Sequence, residues 1–220
     1  MDIGANIQEL QRRIDGACAR SHRSPDEVTL VAVAKGFEAL AIRAAFDCGI
    51  RNFGENRVQE AEGKIGQLSD LEPDVAWHMV GHLQSNKAKT ALEIFDIIHS
   101  VDSIRLAGVL SRRAEKTLPV LLQVNVSGEA PKSGFSVDEV ARAVDEVRRL
   151  ANLEVIGLMT IAPLVANPED VRPVFRKLGG LRDSLGLEHL SMGMTDDFEV
   201  AIEEGATMLR IGRAIFGDRR

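Results

Sequence analysis

A lysine closes an otherwise apolar segment near the start of the chain: VTLVAVAK ends at Lys35. An amine at the mouth of a buried strand is partly desolvated, and desolvation favours its neutral, nucleophilic form. A neutral amine attacks an aldehyde and forms an imine. The plain alternative is a lysine that reaches past a strand end into water. A second chemistry-bearing stretch lies far along the chain, LSMGMTDDFEVAIEEGATMLRIGRAIFG, residues 190–217. Here Ser191 offers a hydroxyl, Gly193 lets backbone approach a ligand, and Gly212 and Arg213 offer backbone N–H groups just past an apolar run, where a phosphate could be cradled. Asp196, Asp197 and Glu199 read as first-turn acids of a helix.

Stepping from these residues to the elements that must carry them, apolar runs and helical patterns alternate from end to end. Candidate strands are Val28–Ala34, Asn52–Gly54, Val75–Val80, Phe95–Ser100, Pro119–Val126, Leu153–Thr160, Leu187–Met192 and Thr207–Ile211. Most are short Val-, Ile- and Leu-rich runs without clean alternation, the pattern of strands buried on both faces. Between them, Ile7, Leu10, Ile14 and Ala17 repeat at helical spacing, as do Val137, Val140, Val144 and Val147. Ser136 with Glu139 reads as a capping box, Asn167–Pro168 as a helix start, and Gly49 and Gly205 as left-handed caps.

Strand starts about 20 to 34 residues apart, separated by helices, predict an α/β fold, a single (β/α)₈ barrel spanning residues 1–220. Too little chain follows Ile211 for a full eighth helix, so the N-terminal helix is expected to complete the outer ring. An open doubly wound sheet is the competing architecture, weakened because no Gly-x-Gly-x-x-Gly follows the first strand. Barrels of this type work at the C-terminal ends of their strands. Lys35, Glu55, Asn56, His78, Gly81, His82, Asp102, Asn125, Thr160, Ser191, Gly193, Gly212 and Arg213 all fall on or just past those ends. An imine-forming lysine and a phosphate cradle on one rim suit a phosphorylated aldehyde. Pyridoxal phosphate fits, and so does a phosphorylated sugar in a Schiff-base aldolase; spacing does not separate the two.

Composition narrows the class. The chain has 220 residues, 45% hydrophobic and 27% charged, with a formal charge of −6, which suits one globular domain and argues against a general nucleic-acid binder. The N-terminus has no signal-peptide pattern and no run is long enough to span a bilayer, so a cytoplasmic protein is expected. Cys18 and Cys48 stand in no CxxC or metal-ligand pattern and are expected to be reduced, buried thiols. Lys132, in the SGEAPKSG loop, reads as a solvated loop lysine or a guide for anionic ligands.

VAVAK (31–35), NFGENRVQE (52–60), WHMVGHLQSNK (77–87), VLLQVN (120–125), KSGF (132–135), GLMTI (157–161), LSMGMTDDFEVAIEEGAT (190–207) and RIGRAIFG (210–217) together resemble the pyridoxal phosphate homeostasis proteins, themselves related to the barrel domain of alanine racemase. The resemblance implies that Lys35 holds the cofactor as a Schiff base, that Arg210 faces the pyridine nitrogen, and that Ser191 with the amides around Gly212 and Arg213 holds the phosphate. Asn56, His78 and Met194 match motif positions in the pocket neighbourhood. Residue 213 is Arg where Thr is expected in many relatives, which puts a hydroxyl contact to phosphate in doubt; Ala34 and Thr195 are minor departures.

An arginine opposite the pyridine nitrogen disfavours its protonation and makes the ring a poorer electron sink. Two-base racemisation would need a partner for the lysine; the chain contains no tyrosine, which leaves His78 or His82. The implied role is therefore a monomeric carrier of vitamin B6 with no dedicated turnover, which buffers the cofactor or passes it transiently to apo-enzymes. The alternative is a pyridoxal-phosphate-dependent amino-acid racemase or another B6 enzyme.

Overall fold

The computed structural model describes residues 2–129 and 133–218; Lys132 lies outside the described residues. In chain order come α1 (Ile3–Arg20), β1 (Thr29–Val33), α2 (Ala39–Asp47), β2 (Asn52–Glu55), α3 (Val58–Ile65), β3 (Ala76–Met79), α4 (Ala88–Ile94), β4 (Ile97–Val101) and α5 (Ile104–Arg113). The second half adds β5 (Leu118–Gln123), α6 (Val140–Arg148), β6 (Leu153–Met159), α7 (Arg172–Ser184), β7 (His189–Ser191), α8 (Phe198–Glu203), β8 (Met208–Ile211) and α9 (Arg213–Phe216). The strands pair in sequence order and the sheet closes as β8 meets β1, with Val31 opposite Arg210. This is the expected eight-stranded barrel, and it excludes the open sheet.

Because every strand is parallel, every strand leads to the same rim. α1 takes the vacant place in the outer ring. Its stripe of Ile7, Leu10, Ile14, Ala17 and Cys18 is buried. The Asn6 side-chain amide donates to the Ile215 carbonyl at 2.9 Å, and Arg13 and Arg20 pair with Glu199 and Glu203 on α8. Glu199 is thus a tie between helices as well as a first-turn acid.

Two expectations at the level of elements are corrected. The fifth strand stops at Gln123 rather than Val126, because the chain there turns to meet the next segment: Val124 bridges Phe135, and the Asn125 N–H donates to the Phe135 carbonyl. Only Cys18 is buried; Cys48 caps the C-terminal end of α2 and is exposed. Other local readings hold: Gly49 and Gly205 have φ of 95° and 92°, and the Asn167 side chain caps the turn that begins at Pro168. The expected capping box is only half formed: Glu139 accepts from both the N–H and the hydroxyl of Ser136, but the Ser136 hydroxyl caps no helix N–H among the described residues, and the regular helix begins only at Val140.

Side chains at alternate strand positions share a face. Leu121, Met159 and Met208 form a small apolar cluster of their own within the barrel. Two residues further along β8 and β5 stand Arg210 and Gln123, so the lining turns polar toward the rim. Gly157 lies where β6 and β7 approach most closely: a Cβ there would sit 2.2 Å from the His189 carbonyl oxygen. Exposed Gly180 on α7 has nothing within 4 Å. Gly157→Ala should therefore cost about 2 kcal/mol or more by overpacking, lowering the thermal midpoint by roughly 4–8 °C. Gly180→Ala should leave the midpoint unchanged or raise it slightly. Differential scanning calorimetry of the two variants checks the contrast.

Candidate functional site

At the seam where the barrel closes, Val33, Lys35, Phe37, Gly212, Arg213 and the Gly217–Asp218 turn line one cavity of about 230 Å³. Lys35, just past the first strand, and the head of α9, after the last strand, therefore line the same space. Gly36, with φ of 78°, turns the chain away directly after Lys35. Gly212 begins the opposing turn, and a Cβ there would lie 3.1 Å from the Val33 carbonyl oxygen, so backbone is brought close on both sides. The Arg213 guanidinium, standing where a hydroxyl residue was expected, is paired with Asp196 on the preceding loop.

Beneath the seam a hydrogen-bonded chain crosses the barrel interior. Arg210 is buried and donates to the Ser191 hydroxyl at 2.6 Å and to the Thr160 carbonyl at 2.8 Å. Ser191 Oγ lies 2.7 Å from His99 Nδ1, His99 Nε2 lies 2.9 Å from His78 Nδ1, and His78 Nε2 lies 3.1 Å from Asn52 Oδ1. The directions follow from the far end of the chain together with burial. Burial pushes the His78 pKa down to about 4 and, with neighbouring His78 and Arg210, holds that of His99 well below the ordinary value, so each imidazole carries one proton. The Asn52 oxygen only accepts, so His78 Nε2 donates to it, His99 Nε2 donates to His78 Nδ1, and the Ser191 hydroxyl donates to His99 Nδ1 while accepting from Arg210. Arg210 is lowered by burial to about 10, with Asp197 pulling the other way, and so stays protonated at neutral pH.

The expected pocket residues thus separate into groups. Lys35, Gly212 and Arg213 share the seam cavity. Ser191, Arg210 and His78 lie in the interior chain, and the Ser191 hydroxyl is committed there rather than lining the seam cavity. Asn56 lines neighbouring hollows at the rim with His82, whose Nδ1 is 2.8 Å from Asp102. Met194 belongs to another hollow, with Pro163, Leu164 and Val165, and its N–H is held by the Asp197 carboxylate at 2.6 Å. Burial raises the Asp197 pKa, against that N–H and the Arg210 charge.

Sequence reasoning missed His99 and Asn52, the latter read only as a strand start. It also missed a cluster behind Lys35. There Lys64 of α3 contacts Glu55 and Glu60, and burial pushes the Glu55 carboxyl up to about 7 although Lys64 opposes it. A polar residue inside an apolar strand, as in IIHSV, was the available signal for His99. Lys64 and Glu60, four apart on a helix, look like an ordinary surface pair.

The match to the family described as alanine racemase, N-terminal domain, covers residues 3–220. The pyridoxal phosphate homeostasis protein of Aquifex aeolicus is 43% identical over all of both chains. That of Pseudomonas aeruginosa is 44% identical over 99% of this chain and 96% of its own. Among solved structures, PipY of Synechococcus elongatus with pyridoxal phosphate bound superposes with a TM-score of 0.83 at 38% identity, covering 98% of this chain and all of that one.

The neutral histidine chain has a consequence for acid stability. Unfolded imidazoles take up protons below about 6.5, whereas folded His78 resists until about 4. Stability that is present above 6.5 is therefore lost as pH falls toward 4, on the order of 3 kcal/mol for this one residue. Denaturant unfolding at pH 7 and pH 5 should show a smaller loss for His78→Gln than for the wild type. An equally large loss in the variant counts against neutral imidazoles.

Proposed function

The chain belongs to the alanine racemase N-terminal domain family and, within it, to the pyridoxal phosphate homeostasis proteins; on that footing we propose that it binds pyridoxal 5′-phosphate on Lys35 and serves as a reversible carrier of that cofactor. One observation carries the reading: Lys35 and the Gly212–Arg213 segment line a single cavity, as a ligand with an aldehyde at one end and a phosphate at the other requires. The residues fit such a group in other respects. The rim keeps a buried acceptor without a partner, Asn56 Oδ1, and the backbone at Gly212 is close enough to β1 that a side chain would crowd it.

In this reading Lys35 would hold the aldehyde end through its Nζ, and the N–H groups at the head of α9 would hold the phosphate. Ser191 supports the site from below, by steering Arg210 rather than by touching phosphate. Arg210 sits under the seam as the cation that would face the pyridine nitrogen and keep it unprotonated. When bound, the cofactor supplies an electrophilic carbon and an electron-withdrawing ring; the cation facing that ring's nitrogen limits the second property and leaves the first.

Release to another amine then suits the site better than turnover of a substrate, and apo-enzymes that use the cofactor are the natural recipients. We read the chain as a monomer that works in the cytoplasm; no helix among the described residues is long and apolar enough to cross a membrane. The racemase alternative loses one of its two candidate bases, because both ring nitrogens of His78 are engaged in the interior chain. His82 remains, at the rim and exposed.

Borohydride reduction of the protein loaded with pyridoxal phosphate, followed by peptide mapping, tests the assignment. One adduct on Lys35 is expected, and Lys35→Ala should lose both the adduct and the visible absorption. A reducible adduct on another lysine, retained in Lys35→Ala, removes the proposal. Incubation with L- and with D-alanine should give no interconversion, and robust racemisation would overturn the carrier reading.

A further inference from the structure

The peptide groups on either side of Lys35 are held by one ion pair from a different βα unit. Lys64 Nζ donates to the Ala34 carbonyl at 2.7 Å, to Glu60 Oε1 at 2.7 Å and to Glu55 Oε1 at 2.8 Å. The same Glu60 oxygen accepts the Gly36 N–H. The Ala34 carbonyl belongs to the peptide group before Lys35, and the Gly36 N–H to the one after it. Two bonds from the Lys64–Glu60 pair therefore fix the plane of each peptide group flanking the Lys35 Cα.

Fold stability alone is a poor reason for this arrangement. Lys64 and Glu55 are buried, and Glu55 Oε2 has no hydrogen-bond partner. Taking such groups out of water costs about as much as their attraction returns, and well-packed apolar residues often do as well or better. What the pair offers instead is direction: a carbonyl and an N–H two residues apart are gripped at defined angles.

We propose that Lys64 and Glu60 form a bracket that aims the Lys35 amine into the seam cavity, so that both are positioning residues for covalent capture of a phosphorylated aldehyde. The proposal rests on the reading of Lys35 given above. In the captured step the neutral Nζ adds to the aldehyde carbon, a C–N double bond forms, and the carbonyl oxygen leaves as water with the two protons of the amine. The rate of that step depends on how often the amine stands at attacking distance and angle, and small misplacements of a reacting group are expensive.

The test uses the full chain in four forms: wild type, Lys64→Met, Glu60→Ala and Glu60→Gln. Two probes separate aim from pocket. Pyridoxal 5′-phosphate reports bond formation through its visible absorption, and pyridoxamine 5′-phosphate, which has no aldehyde, reports the cavity without Lys35 chemistry. Lys64→Met and Glu60→Ala should form the bond on the order of tenfold more slowly than the wild type, with pyridoxamine phosphate affinity unchanged. Glu60→Gln keeps a side-chain acceptor for Gly36 and should recover most of the rate. Glu60 is partly exposed, so its alanine variant carries the test should Lys64→Met fail to fold. Wild-type rates in Glu60→Ala, or an equal loss of affinity for both probes, overturn the bracket. A wild-type protein that forms no bond on Lys35 overturns the Lys35 reading itself, and the bracket with it, which is a different result.

Discussion

Arg210 is a cation inside a closed barrel, and much of the interior follows from accommodating it. A buried guanidinium must spend its donors on acceptors within reach. The nearest are the Thr160 carbonyl and the Ser191 hydroxyl, and the second of these joins the cation to a row of buried polar side chains. His99, His78 and Asn52 then fall into a single ordered row, each both accepting and donating until the last oxygen ends it. The row runs through residues of β8, β7, β4, β3 and β2, so a local requirement at one side chain becomes a constraint on the register of most of the sheet. A fully satisfied polar network of this kind favours one arrangement over its neighbours.

Above that fixed layer the seam has a different character. Its lining brings Lys35 together with a stretch of backbone, and neighbouring side chains are absent or turned to other partners: Gly212 has none, and Arg213 reaches to Asp196. A site made largely of main chain is set by the strands themselves.

The fold was legible because its signal is repetitive. Eight apolar runs with helical patterns between them allow few architectures, and Lys35 stood out as a charged end to an apolar strand. Gly212 and Arg213 could be placed by their position after the last run. The partition of the remaining residues was not legible. Ser191 and Arg210 were expected near the ligand, but that they are bonded to each other and to His99 in one interior row could not be read from one-dimensional spacing, because the inward face of a strand has depth as well as direction. His99 escaped because its partners come from strands distant in sequence. Lys64 and Glu60 escaped because a helical pair four apart looks the same whether its face meets water or the end of a neighbouring strand. Strand ends were misjudged where loop backbone competes for the ladder, as at Asn125, whose N–H goes to Phe135.

The two sides of the cavity come from the first and last strands of the barrel, Lys35 after β1 and Gly212 after β8, and they meet only where those strands pair. Lys35 is therefore translated well before the backbone that faces it, and a nascent chain lacks the complete receptacle until β8 has emerged and docked on β1. Any ligand that touched both sides would act as a clasp across the closure, tying the first strand to the last.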